Sequence, residues 1–157
     1  MSTTTITTPP DSAPVYDADD LIKFFEAIPR DRWHTGYYFD THLYATDGEL
    51  KCCALGLCGQ GVPAQERHRF GDVEVRTARA QALWDMFSGV RADLDDKGNP
   101  LPLPSSSSND GGIAVINDGK CSRYQQEHPK DRVLAALRDV KAGINLSTHD
   151  NLPAPTA

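Results

Sequence analysis

The sequence lacks the features that direct a protein to a membrane or to nucleic acid. It has no run approaching the roughly 18 consecutive apolar residues of a membrane helix. Residues 1–14 contain neither Lys nor Arg, nor the apolar core of a signal peptide. Its 16 Lys and Arg residues are outnumbered by 22 Asp and Glu residues, which gives a net charge of -6. We therefore expect a cytoplasmic protein that binds neither a membrane nor nucleic acid.

Motifs for catalysis and for cofactor binding are also missing. The sequence has no phosphate-binding Gly-rich loop, no Gly-x-Ser-x-Gly elbow, no His-Glu-x-x-His pair and no dinucleotide fingerprint. Each of these motifs fixes a phosphate, a nucleophile or a metal at a set spacing, so its absence argues against the corresponding enzyme class. We expect no cofactor, and an enzyme is not the favoured interpretation.

Length and composition predict one globular domain. The chain has 157 residues, of which 39% are hydrophobic. Residues 1–14 and 145–157 show no apolar periodicity and are predicted to be disordered tails. A long Pro/Ser/Gly loop is predicted over 91–112, where PLPLPSSSSNDGG combines lost backbone donors with flexible residues. The domain is then predicted to span 15–144 with this loop inside it.

Apolar residues recur at helical spacing in three segments, which predicts three amphipathic helices. The first segment starts at a group of aspartates and stops at Pro29, the second covers 73–90, and the third starts near Pro129. The apolar positions are Leu21, Phe24, Phe25 and Ile28 in the first, Ala80, Leu83, Trp84 and Phe87 in the second, and Val133, Leu134, Leu137, Val140 and Ile144 in the third.

A small β-hairpin is predicted between the first two helices. The run YYFDTHLYATDGELKCC has β-favouring aromatic residues on either side of the turn pair Asp47-Gly48. The apolar segment CALGL follows and fits a short buried helical turn, whereas the run IAVI at 113–116 is too short to assign. The fold class is therefore α+β, mainly helical, with three to four helices and one small β-hairpin in a single compact domain.

The four cysteines do not have the spacing of zinc ligands. Cys52, Cys53 and Cys58 lie within seven residues, and Cys121 lies far along the chain. A structural zinc site uses ligand pairs a few residues apart on a tight turn, whereas adjacent residues diverge on a helix. We interpret the four thiols as packing residues and predict no metal site. A structural zinc site built from these cysteines is an alternative that elemental analysis tests.

Cys53 carries a further alternative, a nucleophilic thiol. It lies where the hairpin meets CALGL, and the N-terminus of a helix lowers the pKa of a thiol. A cysteine-dependent hydrolase or transferase also needs a base and an orienting group. Asn117 or Asp118 would orient the base, for which the candidates are His34, His42 and His128. The apolar neighbours of Cys53 favour a packing role instead, and Asn117-Asp118-Gly119 is more typical of a turn that hydrogen-bonds its own backbone than of a site.

Four other residues are candidates for binding a partner. Trp33 and Tyr38 belong to a dense aromatic group, which suits a recognition surface but is commoner in strands and small cores. Side-chain alternation predicts that Tyr38 is exposed. Arg76 and Arg79 are three positions apart and therefore share one side of the second helix. They would suit a phosphate or an acidic partner, although the interleaved acidic residues favour a solvated mixed-charge surface.

The order of these motifs resembles a family of small bacterial and phage proteins of unestablished activity. The resemblance rests on Trp33, Gly36, Asp47-Gly48, the segment Cys53-Ala54-Leu55-Gly56-Leu57, Asn117-Asp118 and the last helix. It covers residues 17–144, with the Pro/Ser loop as an insertion. The chain departs from the family pattern in having Ile116 where a Trp is usual and Cys58 after Leu57. The resemblance supports the domain limits and implies no chemistry.

The small size, the acidity, the missing enzyme motifs and the clustered aromatic residues favour a small cytoplasmic, noncatalytic interaction or regulatory protein. We expect it to be phage-encoded and to act on a host protein. Its acidity suits a basic protein partner, through charge complementarity and steering. The cysteine-dependent enzyme and the protein with a structural zinc site are the two alternatives.

Overall fold

The computed structural model describes residues 15–36, 40–46, 48, 50–59, 73–105 and 111–147. In chain order they form α1 (Ala18–Glu26), a 3-10 turn (Arg30–Arg32), β1 (Asp40–Tyr44), β2 (Leu50–Lys51), α2 (Ala54–Leu57), α3 (Val73–Met86), β3 (Ala92–Leu94), β4 (Pro100–Ser105), α4 (Gly111–Asn117) and α5 (Pro129–Lys141). The strands form two separate antiparallel pairs, β1 with β2 and β3 with β4. The predicted α+β, mainly helical fold is confirmed.

α1 begins at a reciprocal cap between two aspartates. The N–H of Asp20 donates to Asp17 Oδ1 at 2.9 Å, and the N–H of Asp17 donates to Asp20 Oδ2 at 3.0 Å. These bonds satisfy donors that the first turn of a helix leaves open. Leu21 and Phe25 are completely buried, and the helix ends before Pro29. The predicted first helix is confirmed.

α5 lies antiparallel against α1, and charged side chains join the two helices at both ends. Lys141 Nζ is 2.7 Å from Asp19 Oδ1 at one end. At the other end Lys130 Nζ donates to the carbonyls of Glu26 and Ile28, at 3.0 and 2.7 Å. Lys130 thus places a cation at the C-terminus of α1, where the helix dipole favours positive charge.

The other two predicted helices are also present. α5 begins at Pro129, as predicted, and buries Val133 and Leu137 completely. The helix predicted over 73–90 is α3, which ends at Met86 and has 14 residues. Trp84 of α3 is half-buried and packs against the core, as its position on the apolar side predicts. In the ranges that the structure describes, no helix is long and apolar enough to cross a membrane.

α2 and α4 both contribute fully buried residues to the core. α2 is a single turn whose four residues are all buried, which confirms the prediction for CALGL. It contacts both α3 and α4. The run IAVI belongs to α4, where Ile113 and Ile116 are completely buried. Gly112 of the same helix passes so close to the end of α3 that an added Cβ would lie 1.8 Å from the carbonyl oxygen of Phe87.

The predicted β-hairpin is formed by β1 and β2, with an irregular register. Gly48 lies in the turn between them, and its φ of +84° is a conformation that glycine adopts readily. Its N–H donates to the carbonyl of Ala45 at 3.0 Å. The other turn residue, Asp47, lies outside the described residues.

The prediction of a loop over 91–112 is wrong for much of this segment, because β3 and β4 form a second hairpin there. The register is irregular, because Leu94 pairs with Pro100 but Ala92 pairs with Ser105. The prolines at 100, 102 and 104 have no N–H, so each removes one donor from β4. Proline of this kind is tolerated in an edge strand, so a composition typical of disorder is compatible with a hairpin.

The domain also extends beyond the predicted limit at residue 144. Leu146 is buried in the core, and the carbonyl of Ser147 accepts a hydrogen bond from Ser88 Oγ at 3.1 Å. A single apolar residue has no periodicity, which is why the sequence pattern missed it. Residues 1–14 and 148–157, which make up the rest of the predicted tails, lie outside the described residues.

Candidate functional site

The side chain of Asn117 joins three segments of the chain. It is 1% exposed. Its Oδ1 accepts the N–H of Ala54, the first residue of α2, at 3.1 Å, and its Nδ2 donates to the carbonyl of His34 at 3.0 Å. Cys53, at the N-cap position of α2, makes no side-chain capping bond. Asn117 therefore supplies from α4 an acceptor that the start of α2 needs.

Asp118 extends this arrangement towards the surface. Its Oδ1 accepts the N–H of Gly36 at 3.0 Å and the side-chain Nδ2 of Asn117 at 3.0 Å. Two donors on one oxygen fix the direction of the carboxylate. The side chains of Asn117 and Asp118 thus bond to distant segments, and the interpretation that they only satisfy their own turn is wrong.

Arg132 completes the arrangement from α5. It is 7% exposed, and its guanidinium donates to the carbonyls of Ile116, Asn117 and Gln126 at 3.2, 2.7 and 2.7 Å. The helix dipole favours a cation at the carbonyls of Ile116 and Asn117, which are the last two of α4. Burial lowers the pKa of the guanidinium from its ordinary value, and the three carbonyls supply the hydrogen bonds that a buried charge requires.

A polar cleft of about 550 Å³ opens beside these residues. Four parts of the chain line it together with Arg132: residues 35–36, residues 95, 96 and 98 of the turn between β3 and β4, residues 118–120, and residues 125–127 before α5. The β3–β4 turn is held in place because the N–H groups of Asp93 and Leu94 donate to the carbonyl of Lys120. The second hairpin therefore supplies one wall of the cleft.

The charges lining the cleft are unequally neutralised within the protein. The lining contains four acidic residues and two basic ones, Lys120 and Arg132. Lys120 Nζ is 2.9 Å from Asp96 Oδ1, and Arg132 is bound to the three carbonyls. Among the residues that the structure describes, no Lys or Arg is ion-paired with the other three acidic residues, Asp95, Asp118 and Glu127.

Asp95 is oriented by its own turn. Its Oδ1 accepts the N–H groups of Lys97 and Asn99 at 2.9 and 2.8 Å. These backbone donors hold the pKa of Asp95 below its ordinary value, and the N–H of Asn99 has the largest effect. The carboxylate is therefore ionised at neutral pH and adds a fixed negative charge to the cleft.

The four cysteines all lie in the described part of the chain, and all are buried thiols. Cys53 is 7% exposed. Burial is the main cause that raises the pKa of Cys121 above its ordinary value. No group of three or more His, Cys, Asp or Glu residues in the described ranges is arranged to hold a metal ion. The zinc site proposed as an alternative therefore has no ligand cluster in this part of the chain.

The structure brings three residues of the cysteine-enzyme hypothesis together, but the side chain of Asn117 meets backbone groups at His34 and after Cys53. Asn117 bonds to the carbonyl of His34 and to the N–H that follows Cys53. Its amide is therefore hydrogen-bonded to these backbone groups rather than to an imidazole. His128 lies at the start of α5, where its ring caps the helix. The side chain of His42 lies outside the described residues.

We expect the thiols of the folded protein to react with iodoacetamide about tenfold or more slowly than those of the unfolded chain, because all four are buried. Mass spectrometry of peptides resolves the labelling of each cysteine. Fast labelling of Cys53 at about pH 6, where an ordinary thiol is protonated, would contradict the packing role and favour an activated thiolate.

Trp33, predicted on a binding surface, is instead a core residue. It is 4% exposed, and its ring lies 5.2 Å from that of Phe25, centroid to centroid. Its Nε1 is buried without a hydrogen-bond partner among the described residues. The prediction was wrong because aromatic residues suit small cores as well as recognition surfaces. Tyr38 lies outside the described residues.

Arg79 stacks on aromatic side chains of its own chain. Its guanidinium carbon lies 4.4 Å from the ring centroid of Phe24 and 5.0 Å from that of Tyr16. These cation–π contacts join α3 to α1, so Arg79 has a structural use that its spacing did not reveal. The neighbouring Arg76 belongs to α3, but its side chain lies outside the described residues.

Comparison with models of known protein families, with curated proteins and with solved structures finds no match to this chain. The resemblance to the family of bacterial and phage proteins therefore stays a prediction.

Most residues of the cleft carry no signal in the sequence. The sequence pattern identifies Asp118 but neither Asp95 nor Glu127. A signal for Arg132 is present, since it lies four residues before the buried Ala136 and adjoins the apolar side of α5. A charged residue in that position predicts a buried hydrogen-bonding role. No comparable signal identifies the residues before α5, because the turns alone bring them to the cleft.

Proposed function

We propose that the protein is a noncatalytic binding protein whose cleft holds a cationic side chain of a protein partner. The observation that carries the proposal is the charge of the cleft. Its two cations, Lys120 and Arg132, are engaged within the protein, whereas Asp95, Asp118 and Glu127 have no ion-pair partner in the part of the chain described. A positively charged group that entered the cleft would form ion pairs with these carboxylates.

The size and lining of the cleft support a charged side chain rather than a ring system. Its volume of about 550 Å³ falls within the usual range of binding pockets. The described lining contains no aromatic side chain on which a base or a sugar could stack. Asp118 presents a carboxylate whose direction is fixed by two donors on Oδ1, and a charged N–H donor such as that of an arginine suits it.

The overall charge supports the same kind of partner. A net charge of -6 attracts a basic protein at a distance. A cytoplasmic location and action on a host protein, as expected of a phage-encoded chain, belong to this proposal and rest on the sequence alone.

An arginine-containing peptide tests the proposal. We expect a short Gly-Arg repeat peptide to bind and to shift the NMR signals of the cleft amides at Gly119 and Lys120. Asp118→Asn removes the charge and keeps a side chain of the same shape. It should weaken binding about tenfold, or about 1.4 kcal/mol, and higher salt should weaken binding to the wild type.

Asp19→Asn is the matched control, because it removes one negative charge from a residue that does not line the cleft. We expect it to bind the peptide within about twofold of the wild type. Equal weakening by both variants would show that net charge rather than the cleft attracts the peptide. Absence of any shift at the cleft amides would contradict the proposal.

The cysteine-dependent enzyme is the second candidate, supported by the meeting of His34, Cys53 and Asn117. It would require Asn117 to exchange its backbone partners for an imidazole, at the cost of two buried hydrogen bonds. The thiol-labelling experiment distinguishes it from the binding protein, since only an enzyme of this kind needs a reactive Cys53.

A further inference from the structure

The start of α5 is capped by an imidazole. Nδ1 of His128 accepts the N–H of Lys130 at 3.1 Å. A ring nitrogen can accept only while it carries no proton. The usual capping residues, Ser, Thr, Asp and Asn, keep their acceptor at every pH near neutrality, whereas histidine changes charge there.

The cap lies at a junction of three parts of the molecule. Lys130 reaches from the first turn of α5 to the carbonyls at the end of α1. Arg30 of the 3-10 turn donates to both carboxylate oxygens of Asp131, at 2.6 and 2.8 Å. Residues 125–127, which form one wall of the cleft, come directly before His128.

The groups around His128 act on its charge in opposite directions. Burial and the positive charge of Arg30 are the main causes that lower its pKa, and Arg132 acts in the same direction. The negative charge of Asp131 and a backbone hydrogen bond with Arg30 raise the pKa. The net result is a pKa below the ordinary value of 6.5, so the folded protein favours the neutral ring that the cap requires.

We propose that His128 is a pH-sensitive latch, in which protonation of Nδ1 withdraws the cap from α5 and loosens the junction of α5 with α1 and the cleft wall. The charged imidazole cannot accept the N–H of Lys130, and it adds a positive charge beside Arg30. It also meets the positive end of the α5 dipole, where a cation is disfavoured. The latch goes beyond the proposed function, because it operates without a ligand.

The direction of the pH effect follows from the lowered pKa. Between the pKa of folded His128 and the ordinary value of 6.5, the unfolded chain binds more protons than the folded one. The stabilisation by the neutral ring is thus fully present above 6.5 and is lost as the pH falls through the pKa of the folded state.

His128→Asn tests the latch, because asparagine is a strong N-cap that does not titrate. We would measure the denaturant midpoint and the hydrogen-exchange protection of the Lys130 amide at about pH 7.5 and about pH 5. At the lower pH, the denaturant midpoint of the wild type should fall by more than that of the variant. The hydrogen-exchange protection of the Lys130 amide should also fall by more in the wild type than in the variant. An NMR titration of the wild type should place the pKa of His128 below 6.5.

His128→Ala separates the cap from its titration. It removes the acceptor at every pH, so its midpoint should lie below that of the asparagine variant at both pH values. An equal pH response in the wild type and the asparagine variant would overturn the proposal. So would a pKa of His128 at or above 6.5, or a Lys130 amide that keeps its full protection at the lower pH.

Discussion

Replacing Gly112 with alanine is expected to lower the free energy of unfolding by about 3 kcal/mol or more, because the added methyl group has no space. Its Cβ would lie 1.8 Å from the carbonyl oxygen of Phe87 and 2.7 Å from Cβ of Val90. The first of these atoms belongs to the backbone and cannot rotate away. α4 would have to move from the end of α3, and with it Asn117 and the cleft. Denaturation with guanidinium chloride, followed by circular dichroism, measures the loss.

Gly98→Ala is the matched control for this substitution. Gly98 has a φ of +83° but nothing within 4 Å of an added Cβ, so only the left-handed backbone opposes the change. That strain costs about 1–2 kcal/mol. If both variants lost the same stability, the close approach of α4 to α3 would be wrong.

Replacing Asn117 with alanine is expected to cost about 3 kcal/mol of unfolding free energy, through hydrogen bonds rather than space. The change leaves the N–H of Ala54 and the carbonyl of His34 without their partner in buried surroundings. Each buried polar group left unsatisfied costs about 1–3 kcal/mol. The same denaturation experiment measures this effect, and loss of protection at the Ala54 amide would localise it to the start of α2.

Asn99→Ala controls for the loss of an asparagine side chain. Asn99 is exposed in the turn of the second hairpin, and an exposed substitution of this kind usually changes stability by about 0.5 kcal/mol or less. If Asn117→Ala were no more harmful, Asn117 would not join the segments that it contacts in the structure.

The parts of the fold that the sequence predicts well are those that local chemistry determines. α1 and α5 each combine an apolar stripe with a recognisable start, the aspartates of α1 and Pro129 of α5. The second hairpin was missed for the opposite reason. Its residues 100–105 are rich in proline, and only pairing with β3, together with the bonds from Asp93 and Leu94 to Lys120, reveals a strand. Such non-local pairing leaves little trace in composition.

The candidate site shows the same limit more strongly. Asn117 and Asp118 stand out in the sequence as a turn, but their partners at Ala54, His34 and Gly36 are 63 to 83 residues away. A side chain at a turn can bond to its own backbone or to a distant one, and only the packing of α2 against α4 decides between them. The role of Trp33 was mistaken for the same reason, since burial depends on what packs over a residue.

The alternating prolines of β4 have a consequence for association between molecules. An unpaired strand edge is a template for another chain, because its N–H and C=O groups are available for pairing. The prolines at 100, 102 and 104 remove three N–H donors from β4. The register of β4 with β3 is also irregular in this segment. β4 therefore offers no regular strand to a partner or to a second copy of the protein, and recognition by strand addition is disfavoured there.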